Sequence, residues 1–255
     1  MSTARRYRAT VAYVGTAFHG WQIQRNAPRT VQAVLHDALR HVAGAPVRVE
    51  GASRTDTGVH ADGQIVHFDL VEPRAPTVIR EAVNDCLPDD VRLLDVAEAD
   101  PGFHARFGAA WKEYVYRWSR ADVVPPRDFP FVGILSPRAR SDLMRDAAAR
   151  AAGTRDFRIF GVQRLSSEPS IRTLHAVSIE ESGDELRAIF RGDGFLRGMV
   201  RSICGVLADA SRGRVPPGRV TELLENGDRR GLSHKAAAKG LTLVRVSYSP
   251  WKPLN

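Results

Sequence analysis

The stretch of the chain most suggestive of chemistry runs Gly51-Ala-Ser-Arg-Thr-Asp-Thr-Gly-Val-His-Ala-Asp-Gly-Gln-Ile-Val-His-Phe68. It sets Arg54 and Asp56 two residues apart at the expected end of a strand, where an alternating backbone points both side chains to one side. A guanidinium so placed holds a carboxylate ionised through a charge-assisted hydrogen bond. Gly58 then lets the backbone turn away and leaves the acid exposed. Such a carboxylate suits nucleophilic or base chemistry. Taken alone, an Arg-x-Asp pair ahead of a glycine is more often a salt-bridged turn, so its surroundings decide.

Two other chemistries compete for these residues. Asp56-Thr57-Gly58 spells the D-T-G of aspartic proteases, but that reaction needs two carboxylates sharing a proton, and no second D-T-G or D-S-G is present. Apolar residues lead into the protease motif, whereas here Ser53-Arg54-Thr55 does. Metal hydrolysis through His60, Asp62, His67 and Asp69 is the other, and their spacing fits no standard ligand set. Cys86 and Cys204 have neither the number nor the spacing of a zinc knuckle or a disulfide framework. With no ligand cluster and no nucleotide fingerprint, no cofactor is expected.

The elements that must position Asp56 follow from periodicity. The run Tyr7–Tyr13 alternates β-forming residues and reads as a strand. Val31, Val34, Leu35, Ala38, Leu39 and Val42 follow helical spacing behind Thr30, a plausible N-cap. Strands at 47–52 and 64–70 bracket the polar loop at 55–62. A helix at 78–86 stopped by Pro88 and a strand at 91–96 complete an α+β lobe. The pattern then restarts: a strand at 111–118, a proline-rich loop, a helix at 141–152 and strands at 171–180 and 185–190. A long helix follows with Leu196, Met199, Val200, Ile203, Val206, Leu207 and Ala210 inward, then a short helix at 220–224 and a last strand at 241–248. Without regular βαβ alternation, the reading is α+β in two lobes, residues 1–107 and 108–255.

The chain carries 37 Lys plus Arg against 29 Asp plus Glu, a formal charge of +8 over 255 residues. A polyanionic partner is favoured, nucleic acid first. The N-terminal residues lack an apolar core of signal-peptide length, and no stretch approaches the roughly 20 apolar residues of a membrane span. The expectation is a cytoplasmic protein with no membrane partner.

Several segments, in order, resemble the tRNA pseudouridine synthases of the bacterial TruA type. They are Gly15-Thr-Ala-Phe-His-Gly-Trp-Gln22 with Thr30-Val-Gln32; Arg54-Thr-Asp-Thr-Gly-Val-His-Ala61 with Gly63-Gln64; and Leu87-Pro-Asp-Asp90. Then come Phe103-His-Ala-Arg-Phe107, Lys112-x-Tyr114-x-Tyr116, Gly194-Phe-Leu-Arg-Gly-Met-Val-Arg201 with Gly205, and Ala238-Lys-Gly-Leu241. The resemblance implies the pseudouridine synthase fold: a mixed, mostly antiparallel sheet in two pseudo-symmetric lobes, with helices on the outer faces and a basic central cleft. It implies a homodimer that binds tRNA and acts on uridines at the 3′ side of the anticodon stem-loop. Carried over residue by residue, it makes Asp56 the catalytic aspartate. Whether Asp56 attacks uracil C6, attacks ribose C1′ or removes a ribose proton stays open. Tyr114 matches the tyrosine that stacks on the extruded base, and Arg201 the arginine that pairs with the aspartate. Arg54 is expected also to fill the gap that base extrusion leaves in the stack. His60, Gln64, Arg106 and Arg197 are expected to contact the substrate, and Arg5, Arg6, Arg8, Arg25 and Arg29 to meet phosphates. Val14, Ser53 and Thr57 depart from the usual motif residues without replacing a proposed catalytic group. The alternative is a non-catalytic RNA-binding or chaperone protein of the same fold.

Overall fold

The computed structural model describes residues 4–162, 169–228 and 232–253. The chain forms two compact units: Met1–Ala110 with Leu243–Pro250, and Trp111–Thr242 with Trp251–Asn255.

In the first unit, strand β1 (Arg5–Tyr13) buries Tyr7, Ala9, Val11 and Tyr13 and turns the residues between them outward. That period of two is the mark of a strand with one buried face, and β1 has an antiparallel partner on each side. Helix α1 (Val31–Ala43) starts at Thr30, whose hydroxyl accepts the Ala33 N–H at 3.3 Å, and ends at Gly44 in the left-handed conformation. The apolar stripe identified in the sequence is its buried face: Val31, Leu35, Ala38 and Leu39 are at most 4% exposed. Strand β2 is only Glu50–Gly51, shorter than the strand expected over 47–52. Side chains of α1 account for the difference. Gln32 Nε2 donates to the Val49 carbonyl at 2.8 Å, and His36 Nε2 accepts the Val49 N–H at 3.2 Å, so the backbone of Val49 is satisfied without a ladder partner.

Strand β3 (His60–Leu70) begins earlier than the expected residue 64, because Ala61 already pairs with Tyr13 of β1. Helix α2 (Pro76–Cys86) packs against α1 and against strand β4 (Val91–Glu98), which lies antiparallel to β1 on the side away from β3.

The second unit is built on β5 (Trp111–Ser119), with the short β6 (Gly133–Ile134) parallel to it. Helix α3 (Ser141–Ala149) follows, then β7 (Gly153–Asp156), β8 (Ile171–Ser182) and β9 (Glu185–Gly192), in the order β5-β9-β8-β7 with antiparallel pairing throughout. Helix α4 (Met199–Ser211) is almost wholly buried and packs on α3. A short α5 (Arg219–Asn226) and a 3-10 turn (Ala238–Gly240) lead into β10 (Leu241–Ser247). From Leu243 onward β10 belongs to the first unit, where it lies beside β3. The expected α+β class with mostly antiparallel pairing is what the chain adopts. Among the described residues no helix is long and apolar enough to cross a membrane.

Candidate active site

Residues Ser53–Asp56 form an extended loop segment, not the end of a strand as expected. Side-chain alternation nonetheless holds: Arg54 is exposed, Thr55 is buried and Asp56 is half-buried, so Arg54 and Asp56 project to one side and Thr55 to the other. The hydroxyl of Thr55 lies 2.8 Å from that of Tyr13, inside the core. The Val59 N–H then bonds the Asp56 carbonyl at 3.1 Å, closing a turn with Gly58 in its third position at φ 79°. Asp56 therefore sits where an anchored segment enters a tight turn.

The Gly15–Gln22 segment holds this loop from beneath. The Trp21 N–H donates to the Thr55 carbonyl at 3.1 Å, and the Gly58 N–H to the Phe18 carbonyl at 3.3 Å. The loop approaches so closely that a Cβ on Gly20 would stand 2.8 Å from the Thr55 carbonyl oxygen, and one on Gly15 would stand 2.0 Å from that of Val59. Only glycine fits either place. Sequence reading gave these residues no role in the site, although the Gly15–Gln22 segment is among those that carry the family resemblance.

His60 and Gln64, expected to contact substrate, lie under the loop instead. Gln64 is fully buried: its Oε1 accepts the Ser53 N–H at 3.1 Å, and its Nε2 donates to the Ser53 carbonyl at 2.7 Å. His60 is 3% exposed, and its Nδ1 accepts the Gly15 N–H at 3.0 Å. Gln64 thus bonds the backbone of Ser53 on the Asp56 loop, and His60 that of Gly15 in the segment beneath it. Arg106 is exposed on the turn that follows Phe103.

The other expected site residues belong to the second unit. Tyr114 stands on β5 opposite Phe190 and is 5% exposed, with its ring edge-to-face against Phe195 at 5.0 Å. Arg201 occupies the first turn of α4, half-buried. Its Nε donates to the Ala236 carbonyl at 2.9 Å, while its own carbonyl accepts the Ala236 N–H at 3.0 Å. Arg197 is exposed just before α4. Leu196, read from the sequence as an inward position of this helix, lies before it: the helix starts at Met199, and Leu196 packs against Gly161.

Three of the arginines assigned to phosphates are engaged in ion pairs. Arg6 grips Asp69 with two bonds of 2.8 Å, drawing that carboxyl below its ordinary pKa, and also donates to the carbonyls of Pro101 and Phe103. Arg29 grips Asp90 likewise and lies over the Phe18 ring at 4.1 Å. Arg5 pairs with Glu98 at the surface.

Among the described residues one cluster has metal-ligand composition, Glu50, His67 and His104, with one ligand atom of each within 4.8 Å of the others. Backbone amides decide its chemistry. His67 Nδ1 accepts the Ala105 N–H, and His104 Nδ1 accepts the N–H groups of Arg106 and Phe107. Each neutral ring then carries its hydrogen on Nε2, and His104 Nε2 faces a Glu50 oxygen at 3.3 Å. The trio suits hydrogen bonding and not a cation, which would need those Nε2 lone pairs. Burial, aided by His104 and Arg6, lowers the pKa of His67.

A mostly antiparallel α+β chain of high positive charge that braces one carboxylate on a glycine-threaded loop fits an enzyme acting on a polyanion. Comparison with known proteins resolves the class. The sequence profile of the tRNA pseudouridine synthase family matches residues 9–108 and 147–249. A Nitratidesulfovibrio vulgaris protein described as tRNA pseudouridine synthase A is 38% identical over 95% of this chain and 99% of its own length. A Listeria monocytogenes protein of the same description is 39% identical over 95% and 99%. A solved Cbf5-Nop10-Gar1 complex is similar at a TM-score of 0.32 and 11% identity, covering 93% of this chain and 58% of that one, too distant to bear on fold or function. The chain belongs to the tRNA pseudouridine synthase A (TruA) family and is a tRNA-modifying isomerase.

Proposed function

We propose that this isomerase converts uridines at the 3′ side of the tRNA anticodon stem-loop, with Asp56 as its catalytic carboxylate. The observation that supports the reading most is the loop: Asp56 is half-exposed, while the residues around it are fixed by Thr55, Gln64, His60 and the two close-approach glycines. A group carried on a backbone held this way meets its target without the cost of ordering a mobile loop. The reaction breaks the bond between ribose C1′ and uracil N1, forms one between C1′ and C5, and exchanges the C5 proton for one on N1. It is redox-neutral and consumes no co-reactant. Attack by Asp56 on C6, attack on C1′ and removal of a ribose proton are each consistent with its placement.

In this reading Arg54, exposed beside Asp56, steadies the carboxylate and fills the place of the extruded base. Tyr114 and Arg201 keep the roles that the family resemblance gives them, Tyr114 stacking on that base and Arg201, its Nε fixed by Ala236, supporting the carboxylate. Arg197 and Arg106 meet the RNA, as do Arg8 and Arg25, whereas His60 and Gln64 act by positioning the loop. The chain works as a homodimer on tRNA and needs no metal or organic cofactor. Incubating the purified protein with an unmodified tRNA transcript and mapping pseudouridine nucleotide by nucleotide tests this. Signal confined to the 3′ side of the anticodon stem-loop supports the target; signal elsewhere in the tRNA, or none there, contradicts it.

A further inference from the structure

The turn from His104 to Gly108 has a rigid base and an uncovered top. Its base is held from several directions. The Ala105 N–H bonds His67 Nδ1 at 3.3 Å, and the Ala105 carbonyl accepts the Tyr248 hydroxyl at 2.8 Å. The Phe103 ring packs on Tyr248 at 4.9 Å, and the Phe103 carbonyl takes an Arg6 N–H at 2.9 Å. Within the turn, His104 Nδ1 accepts both the Arg106 and the Phe107 N–H, and the His104 carbonyl accepts that of Gly108. Against that frame Phe107 is 78% exposed. Its ring lies 4.4 Å from the His104 ring, tilted by 39°, and 5.6 Å from the Arg106 guanidinium carbon. Single exposed apolar residues are ordinary on proteins. A phenyl ring held out by a turn whose N–H groups from Ala105 to Gly108 are all bonded, between an imidazole and an exposed arginine, is a different object.

We propose that Phe107, with Arg106 and His104 at its flanks, is a stacking platform for an unpaired base of the bound tRNA. The proposal rests on tRNA as the substrate and adds a contact outside the catalytic loop. A ring face stacks on any base regardless of sequence, and the adjacent guanidinium is placed for the phosphate that accompanies it. The same arginine disfavours a second copy of this chain as the occupant, because a twofold contact centred on Phe107 brings two Arg106 side chains together.

The test uses the full chain with Phe107→Ala, Phe107→Leu, Phe107→Tyr and Phe107→Trp. Equilibrium binding to an unmodified tRNA transcript is measured beside the single-turnover rate at saturating RNA. Phe107→Ala and Phe107→Leu are expected to weaken binding by roughly five- to a hundredfold, the range for losing one base–aromatic stack, with the saturated rate unchanged. Phe107→Tyr and Phe107→Trp should keep wild-type affinity, and indole emission of the Phe107→Trp protein should be quenched by tRNA beyond the change seen in wild type. Wild-type affinity in Phe107→Ala overturns the proposal, as does Phe107→Leu binding as well as Phe107→Tyr, which would make the contact merely apolar. Dissociation of Phe107→Ala to a smaller species in sedimentation also overturns it, by assigning the ring to a subunit interface. Wild-type turnover, read in parallel, reports on the anticodon-stem target independently of the binding series.

Discussion

At the scale of the residue, the catalytic role proposed for Asp56 depends on buried neighbours that hold its loop. Gln64 satisfies both polar groups of the Ser53 backbone, so Gln64→Leu, close in size, leaves an N–H and a carbonyl without partners at a cost of about 1–3 kcal/mol each. Thermal unfolding should register that loss, and the rate at saturating tRNA should fall because the loop no longer has one position. Titration offers a second check. Burial lowers the pKa of His67 and, separately, of His36 from the ordinary 6.5, so the folded chain binds fewer protons than the unfolded chain below that value. Their contribution to stability is complete above pH 6.5 and is lost as pH falls from there toward the lowered folded values. Denaturant midpoints should therefore drop as pH falls from neutrality through that window, and His67→Gln should flatten the drop. That Arg54 and Asp56 share a side of the chain was legible, because alternation in an extended segment needs only their spacing. That Tyr13 and Thr55 meet was not, since the bond between their hydroxyls joins residues far apart in sequence and only pairing of β1 with β3 brings them together.

At the scale of the element, local patterns were readable where one segment satisfies its own backbone, and failed where another segment does so. Helix α1 announced its boundary through Thr30 and its buried face through spacing; Thr30→Ala should cost about 1 kcal/mol, measurable as a lowered denaturant midpoint. Strand β2 was overestimated because Gln32 and His36 take the polar groups of Val49 from α1. The return of β10 to the first unit follows from long-range pairing that no local signal encodes. The start of α4 shows such distant contacts at a residue proposed for the site. A Cβ on Gly205 would stand 2.0 Å from the His234 carbonyl oxygen, in the same stretch of chain whose Ala236 carbonyl holds Arg201 Nε and whose Ala237 carbonyl accepts the Tyr116 hydroxyl at 2.9 Å. Gly205→Ala is expected to push that stretch off the helix, lowering the melting temperature and the turnover rate together. Arg201→Lys, which keeps the charge but has no Nε–H at that position, should lower turnover with little change in melting temperature.

At the scale of the whole molecule, a charge of +8 on a tRNA-modifying chain predicts binding dominated by phosphate contacts. Affinity for tRNA should fall steeply and linearly on a log–log plot against salt, whereas a flat response would point away from the backbone as the main contact. Sedimentation at micromolar concentration is expected to show a dimer, and a fully active monomer would contradict the assembly proposed above. The central claim concerns the carboxylate itself. Asp56→Asn preserves the size of the side chain and removes both its nucleophilic and its basic character, while the loop contacts through Thr55, Gly58 and Gln64 are left in place. The direct measurement is pseudouridine formation in an anticodon stem-loop substrate by wild-type and Asp56→Asn protein, with tRNA binding measured on the same preparations. The account predicts no detectable product and retained binding for the variant. Isomerisation near the wild-type rate would contradict the assignment of Asp56, and loss of binding along with activity would show the residue to be structural.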